Sequence, residues 1–135
     1  MSFEDELKEL VLEAKAEQER REKELTEFRD DWQFARLNTV KPAFDTAVKV
    51  IESDTHFRAA TELKNGSIHL SIGRQIAVDK YAVINELTLK PNEEKLEIEC
   101  SDTRKYLVPE SFNLESLDHA VVESKVKQFL SAVLA

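Results

Sequence analysis

Residues 57–72 read FRAATELKNGSIHLSI. Phe57, Ala59, Thr61 and Leu63 alternate with Arg58, Ala60 and Glu62, the two-residue period of a strand with one buried face. Asn65-Gly66 follows, the dipeptide best suited to a tight hairpin turn, because both central residues need positive φ. With those two residues in the turn, Leu63 pairs with Ile68, Thr61 with Leu70 and Ala59 with Ile72. Each inward residue then meets an inward partner, so this stretch commits the chain to an antiparallel sheet.

Working towards the C-terminus, Gly73 interrupts an otherwise strand-like run and marks a bulge or bend. A third strand is expected over Tyr81–Leu89, with Val83, Leu87 and Leu89 on one face and Ile84 on the other. Lys90 to Glu94, with Pro91 and Asn92, reads as a turn. Residues 95–101 alternate again, with Leu96, Ile98 and Cys100 inward, and Arg104–Val108 is expected to close the sheet. From Leu117 to Leu134 the period lengthens to that of a helix. Leu117, Val121, Val122, Val126, Phe129, Leu130 and Val133 share one face, and Asn113 or Ser116 stands where an N-cap belongs.

Working towards the N-terminus, no glycine or proline interrupts Ser2 to Thr39 and helix formers dominate. Ser2 is placed to cap, and Glu4, Asp5 and Glu6 complement the positive end of the helix dipole. Leu7, Val11, Ala14, Gln18, Arg21, Leu25, Phe28, Trp32 and Ala35 are spaced alternately four and three apart, a heptad pattern with a polar middle. Beyond it the apolar positions resume as Leu37, Val40, Phe44, Ala47 or Val48, and Ile51, on a face turned by about 100°. A kink or a second helix near Pro42 accounts for that turn.

The expected fold is therefore α+β in one domain. A projecting helical arm (1–40) leads into a second helical segment (41–54), an antiparallel meander of four or five strands (55–110) and a C-terminal helix packed on the sheet (113–135). A helix over residues 2–40 spans roughly 58 Å at about 1.5 Å per residue. The compact remainder is only about 30 Å across, so part of the helix overhangs it. Phe28 and Trp32 are too bulky for a close two-helix seam and are assigned to the sheet. Leu7, Val11, Ala14, Gln18, Arg21 and Leu25 become the candidate surface of a homodimer, the commonest oligomer.

Composition narrows function mainly by exclusion. The 135 residues carry a formal net charge of −8, are 41% hydrophobic and 34% charged, and include a single cysteine, Cys100. An acidic chain with only the short basic pairs Arg20-Arg21 and Arg104-Lys105 repels nucleic acid. No apolar run has the roughly 20 residues of a membrane span, and the acidic start lacks the order of a secretory signal, so the cytoplasm is the expected compartment. Two glycines seven apart cannot make a phosphate loop, a dinucleotide fingerprint or a nucleophile elbow.

His69 is expected to face Glu62 across the hairpin, a structural pair and not a general base. Glu115, His119 and Glu123 recur every four residues but lack the further ligands of a metal site. Cys100 falls in the inward set and behaves as a small hydrophobe. The chain thus reads as a non-catalytic interaction module with no cofactor or metal, dimeric, with a protein or peptide partner. The alternative is a small-ligand-binding protein or enzyme with its pocket between the sheet and the C-terminal helix.

Overall fold

A computed structural model describes residues 2–135. Helix α1 runs over Phe3–Ala35 and passes through a widened π segment, Arg36–Val40, into α2, Lys41–Ile51. The strands are β1 (Phe57–Lys64), β2 (Ser67–Ala77), β3 (Lys80–Asn92), β4 (Glu97–Asp102) and β5 (Glu110–Phe112). They pair antiparallel in chain order. A short 3-10 turn, Leu114–Ser116, precedes α3, His119–Val133. The α+β class, the long leading helix, the meander and the closing helix are all as expected.

The hairpin has the expected register: Leu63 opposite Ile68, Thr61 opposite Leu70, Ala59 opposite Ile72. Asn65 and Gly66 take positive φ, 45° and 84°. A Cβ on Gly66 would meet no atom within 4 Å, so Gly66→Ala carries only the backbone penalty. Urea unfolding should show a loss of about 1 kcal/mol; a loss under a few tenths would mean the turn is not held in this form. Leu63, expected inside, is 44% exposed at the end of β1.

Strict alternation fails at the middle of the sheet. Ile72 pairs with Asn85 but Gly73 with Val83, so Ile84 is an extra residue on β3. The bulge anticipated at Gly73 therefore sits on the facing strand. It reverses the faces: Asn85, Leu87 and Leu89 point inward, while Val83, expected with them, is 65% exposed. Gly73 leaves room there, since a Cβ would lie 3.3 Å from the Ala82 carbonyl oxygen.

Two further expectations are corrected by turns. Strand β3 continues through Pro91, which pairs with Ile98. It does so past the last β2–β3 pair, where the missing N–H costs no bond to that neighbour. The reversal lies at Glu93–Leu96 instead, and Leu96 adopts φ 53° in it, not an inward strand position, while still packing on the core. Residues 104–108 form no strand; Lys105 has φ 58°, and β5 is the short Glu110–Phe112.

One sheet face is covered by α2, α3 and the C-terminal half of α1. Ile68, Leu70, Ile72, Leu87, Leu89, Ile98 and Cys100 meet Phe28, Trp32, Val40, Phe44, Ile51, Val122, Val126 and Phe129 in the core. The other sheet face is open and polar. There His69 stands opposite Glu62 in register but does not bond it: its ring nitrogens lie 2.9 Å from Ser67 Oγ and 2.8 Å from Thr88 Oγ1. Glu62 pairs with Lys64 instead.

Buried positions on the long helix follow a constant step of four: Phe28, Trp32, Arg36, Val40, Phe44. That step outruns the about 3.6 residues of an α-turn, so those side chains drift off one face unless a turn takes an extra residue. The π segment supplies it, with the Lys41 N–H donating to the Arg36 carbonyl five residues back. A second helix, α2, does begin beside Pro42, as one of the two expectations had it; the wide turn joins it to α1 and eases the clash between the Pro42 ring and the preceding turn. It also adjusts the inward set: Arg36 is buried beside a half-buried Ala35 that still packs on the core, and Leu37 is 39% exposed.

Asp118, not Asn113 or Ser116, caps α3, accepting from the Val121 N–H at 2.9 Å. Its apolar face is as read from the sequence.

Candidate functional site

The overhang is the feature that the fold leaves unaccounted for. Every residue from Ser2 to Ala16 is exposed. Ser2 Oγ accepts from the Asp5 N–H at 3.1 Å, fixing the start of α1. The body comes alongside the helix near Arg20 and Arg21, which with Leu25 line a hollow shared with Glu93, Glu94 and Leu96 of the β3–β4 turn. Arg29 then makes a paired contact to Glu93, 3.0 and 2.7 Å, and Trp32 Nε1–H donates to the Gly66 carbonyl at 2.6 Å. The free arm is thus about 17 residues, or roughly 25 Å.

Of the six residues assigned to a dimer surface, Leu7 and Val11 are 45% and 67% exposed on the bare face of α1. Ala14, Gln18 and Arg21 are also exposed. Gln18 and Arg21 are engaged along their own helix, Gln18 with Glu22 and Arg21 with Glu17. Leu25 is corrected: it is half-buried and packs on the chain's own core.

Between these groups lies an ion network. Arg20 donates to both oxygens of Glu17 (3.0 and 2.5 Å) and to Glu24 (2.6 Å). The hydrogen bond from Arg20 is the main reason the Glu17 carboxyl is held down at about 2, with Arg21 adding to it. Such exposed i,i+3 and i,i+4 pairs stiffen the helix where it has no apolar support.

The sequence reading missed Phe3, Leu10 and Leu12, all exposed, with Phe3 at 75%. The signal was present in the spacing. Phe3, Leu7, Leu10 and Ala14 also step four, three, four, and share Leu7 and Ala14 with the heptad series.

No family model, curated protein or solved structure matches this chain. Its site is therefore read from geometry alone.

A second concave surface lies between α2 and α3, not between the sheet and α3. There Val122, Val126 and Phe129 fill the space against the strands. The α2–α3 groove has a volume of about 510 Å³; Ala43, Ala47, Val50, Val126 and Leu130 line it, with His119, Glu123 and Lys127 among its polar members. Where α3 ends beside β2 and β3 there is only a small hollow of about 140 Å³, which includes Arg74 and Arg104. A third apolar area, unread in the sequence, is the β2–β3 hairpin end, where Ile76, Val78 and Val83 are exposed.

The remaining chemistry-bearing residues do not converge. Glu115 sits in the 3-10 turn beside α1 and so is not in one helical row with His119 and Glu123. Among the described residues no three His, Cys, Asp or Glu side chains come together to hold a metal ion. Cys100 is buried, and burial pushes its thiol up to about 11, far from the thiolate a nucleophile needs. No described helix is long and apolar enough to cross a membrane.

Proposed function

We propose that this protein is a non-catalytic interaction module of the cytoplasm, a homodimer assembled through its N-terminal helix that holds a protein or peptide partner. One observation carries the reading: apolar side chains recur at helical spacing along an arm that has left its own body. Burying Phe3, Leu7, Leu10 and Val11 in two copies removes on the order of 1,000 Å² from water, near the lower bound of about 1,200 Å² for a specific interface. The association is accordingly modest and exchanges readily. The α2–α3 groove supports the partner-binding half of the reading, because it offers an apolar floor with charged groups for a peptide's polar atoms.

Light scattering after gel filtration tests the dimer. The full chain is expected at twice its 15.5 kDa mass, loaded at about 100 μM to match so small an interface. Deleting residues 1–19 should give a monomer with an unchanged sheet signal in circular dichroism. A full chain that runs as a monomer, or a deletion that stays dimeric, overturns this assignment. Raising the salt should leave the dimer intact, because apolar contacts are not screened.

A second reading, a small-ligand or enzyme pocket, is favoured by the volume of the same groove, which lies within the roughly 300–1,000 Å³ of small-molecule sites. Binding of a small apolar dye to the arm-deleted chain, lost on Val50→Glu at the exposed rim of the groove, is the result that favours it.

A further inference from the structure

Eighteen residues make about five full helical turns. Leu7, Leu10 and Ala14 therefore lie in line with Leu25, Phe28 and Trp32, the residues by which α1 packs on the body. The apolar edge of the arm and the body are on the same side of one helix. Whatever covers the arm must approach from that side, into the corner between arm and body.

That corner decides how two arms can meet. Helices packed side by side stand about 8–10 Å apart. In a parallel, in-register pair the two apolar faces look at each other, and so both bodies, each about 30 Å across, have to fit between helices 10 Å apart. They cannot. Turning one copy end for end places the bodies at opposite ends of the paired arms and removes the conflict.

The spacing then selects a register. When the paired residue numbers sum to seventeen, Phe3 meets Ala14, Leu7 meets Leu10, and the same contacts repeat by symmetry, so that all four layers are apolar. One heptad further on, Phe3 would meet Arg21 and Leu7 would meet Glu17. In the first register Ser2 of one copy reaches only Lys15 of the other and stops short of Arg20, where the body begins.

Resting on the dimer reading above, we propose that the arms of two copies pair antiparallel, Leu7 of each packed on Leu10 of the other, giving an extended assembly with a body at either end. The pairing brings Glu6 of one copy towards Glu13 of the other at the flank of the seam. This like-charge contact, between chains of net charge −8, weakens the association at low salt.

A spin label on Glu19→Cys in the full chain tests this. Glu19 is exposed and points away from the apolar edge, while the native Cys100 is 3% exposed and escapes labelling. In the antiparallel register the two labels are offset by 21 residues, about 32 Å along the helices. With the helix widths added, dipolar spectroscopy should read about 35–40 Å. Parallel arms have no axial offset and would read about 20 Å; that result sinks the antiparallel pairing and leaves the arm-mediated dimer standing. Absence of any dipolar signal sinks both. Leu10→Glu should abolish the long distance; its persistence places the contact elsewhere on the chain and overturns both readings.

Discussion

Trp32→Ala is expected to destabilise the protein by about 3–5 kcal/mol, the largest effect of any single change considered. Trp32 is 3% exposed and fills the junction between α1 and the sheet. Its indole N–H donates to the Gly66 carbonyl at 2.6 Å, which ties the long helix to the β1–β2 turn. The substitution leaves a cavity and an unpaired turn carbonyl together. Against a total of about 5–15 kcal/mol for a domain of this size, that is a large share.

Because Trp32 is the only tryptophan, unfolding should be followed by circular dichroism in urea. Trp32→Phe separates the two parts: it keeps most of the packing and should cost about 1–2 kcal/mol for the lost hydrogen bond. A loss below about 1 kcal/mol for the alanine variant would mean that α1 is not seated on the hairpin as described.

The second large effect is predicted at Asp102. Its side chain is buried, 5% exposed, and takes hydrogen bonds from Asn85 Nδ2 (2.8 Å) and from the backbone N–H groups of Leu107 (2.9 Å) and Tyr106 (3.0 Å). Asn85 in turn accepts from the N–H of Arg104 at 3.1 Å. The pair shapes the 103–107 loop that leads from β4 towards β5. Burial by itself pushes the Asp102 carboxyl up, but the Asn85 hydrogen bond and the backbone N–H groups outweigh it and hold the group below its ordinary range.

Asp102→Ala strands Asn85 and two backbone amides, at a cost of about 2–4 kcal/mol. The sign of the pH effect follows from the lowered value. The folded protein binds this proton less readily than the unfolded chain. The stabilisation is therefore complete above the ordinary aspartate value of about 3.9, and is lost as pH falls through and below it. In Asp102→Asn that component is absent, so the stability gap between the two proteins should narrow from pH 7 to pH 3. A gap that stays constant over this range contradicts a carboxylate held by amides.

The arm owes its legibility to a local rule. Helix formers without interruption and a recurring apolar position define it without reference to the rest of the chain. The hairpin was legible for the same reason, since Asn65-Gly66 and the alternation around it fix the pairing within sixteen residues. Where the reading failed, the deciding contact was remote. Counting in twos puts Val83 inside, and the extra residue at Ile84 that turns it out is defined only by pairing with β2. Asn85 and Asp102 carry no pattern of their own; their partnership requires β3 and β4 to be side by side. The same holds for Leu25, which continues the arm's spacing but is claimed by the body.

From sequence alone came the class of fold, the hairpin register, the face of α3 and the excess length of the leading helix, because propensity and periodicity act over neighbouring residues. Only the tertiary structure decided where the helix leaves the body, that a π turn realigns its buried face, and that the concave groove lies between α2 and α3. Those depend on which surfaces meet, and packing is a property of the whole chain at once.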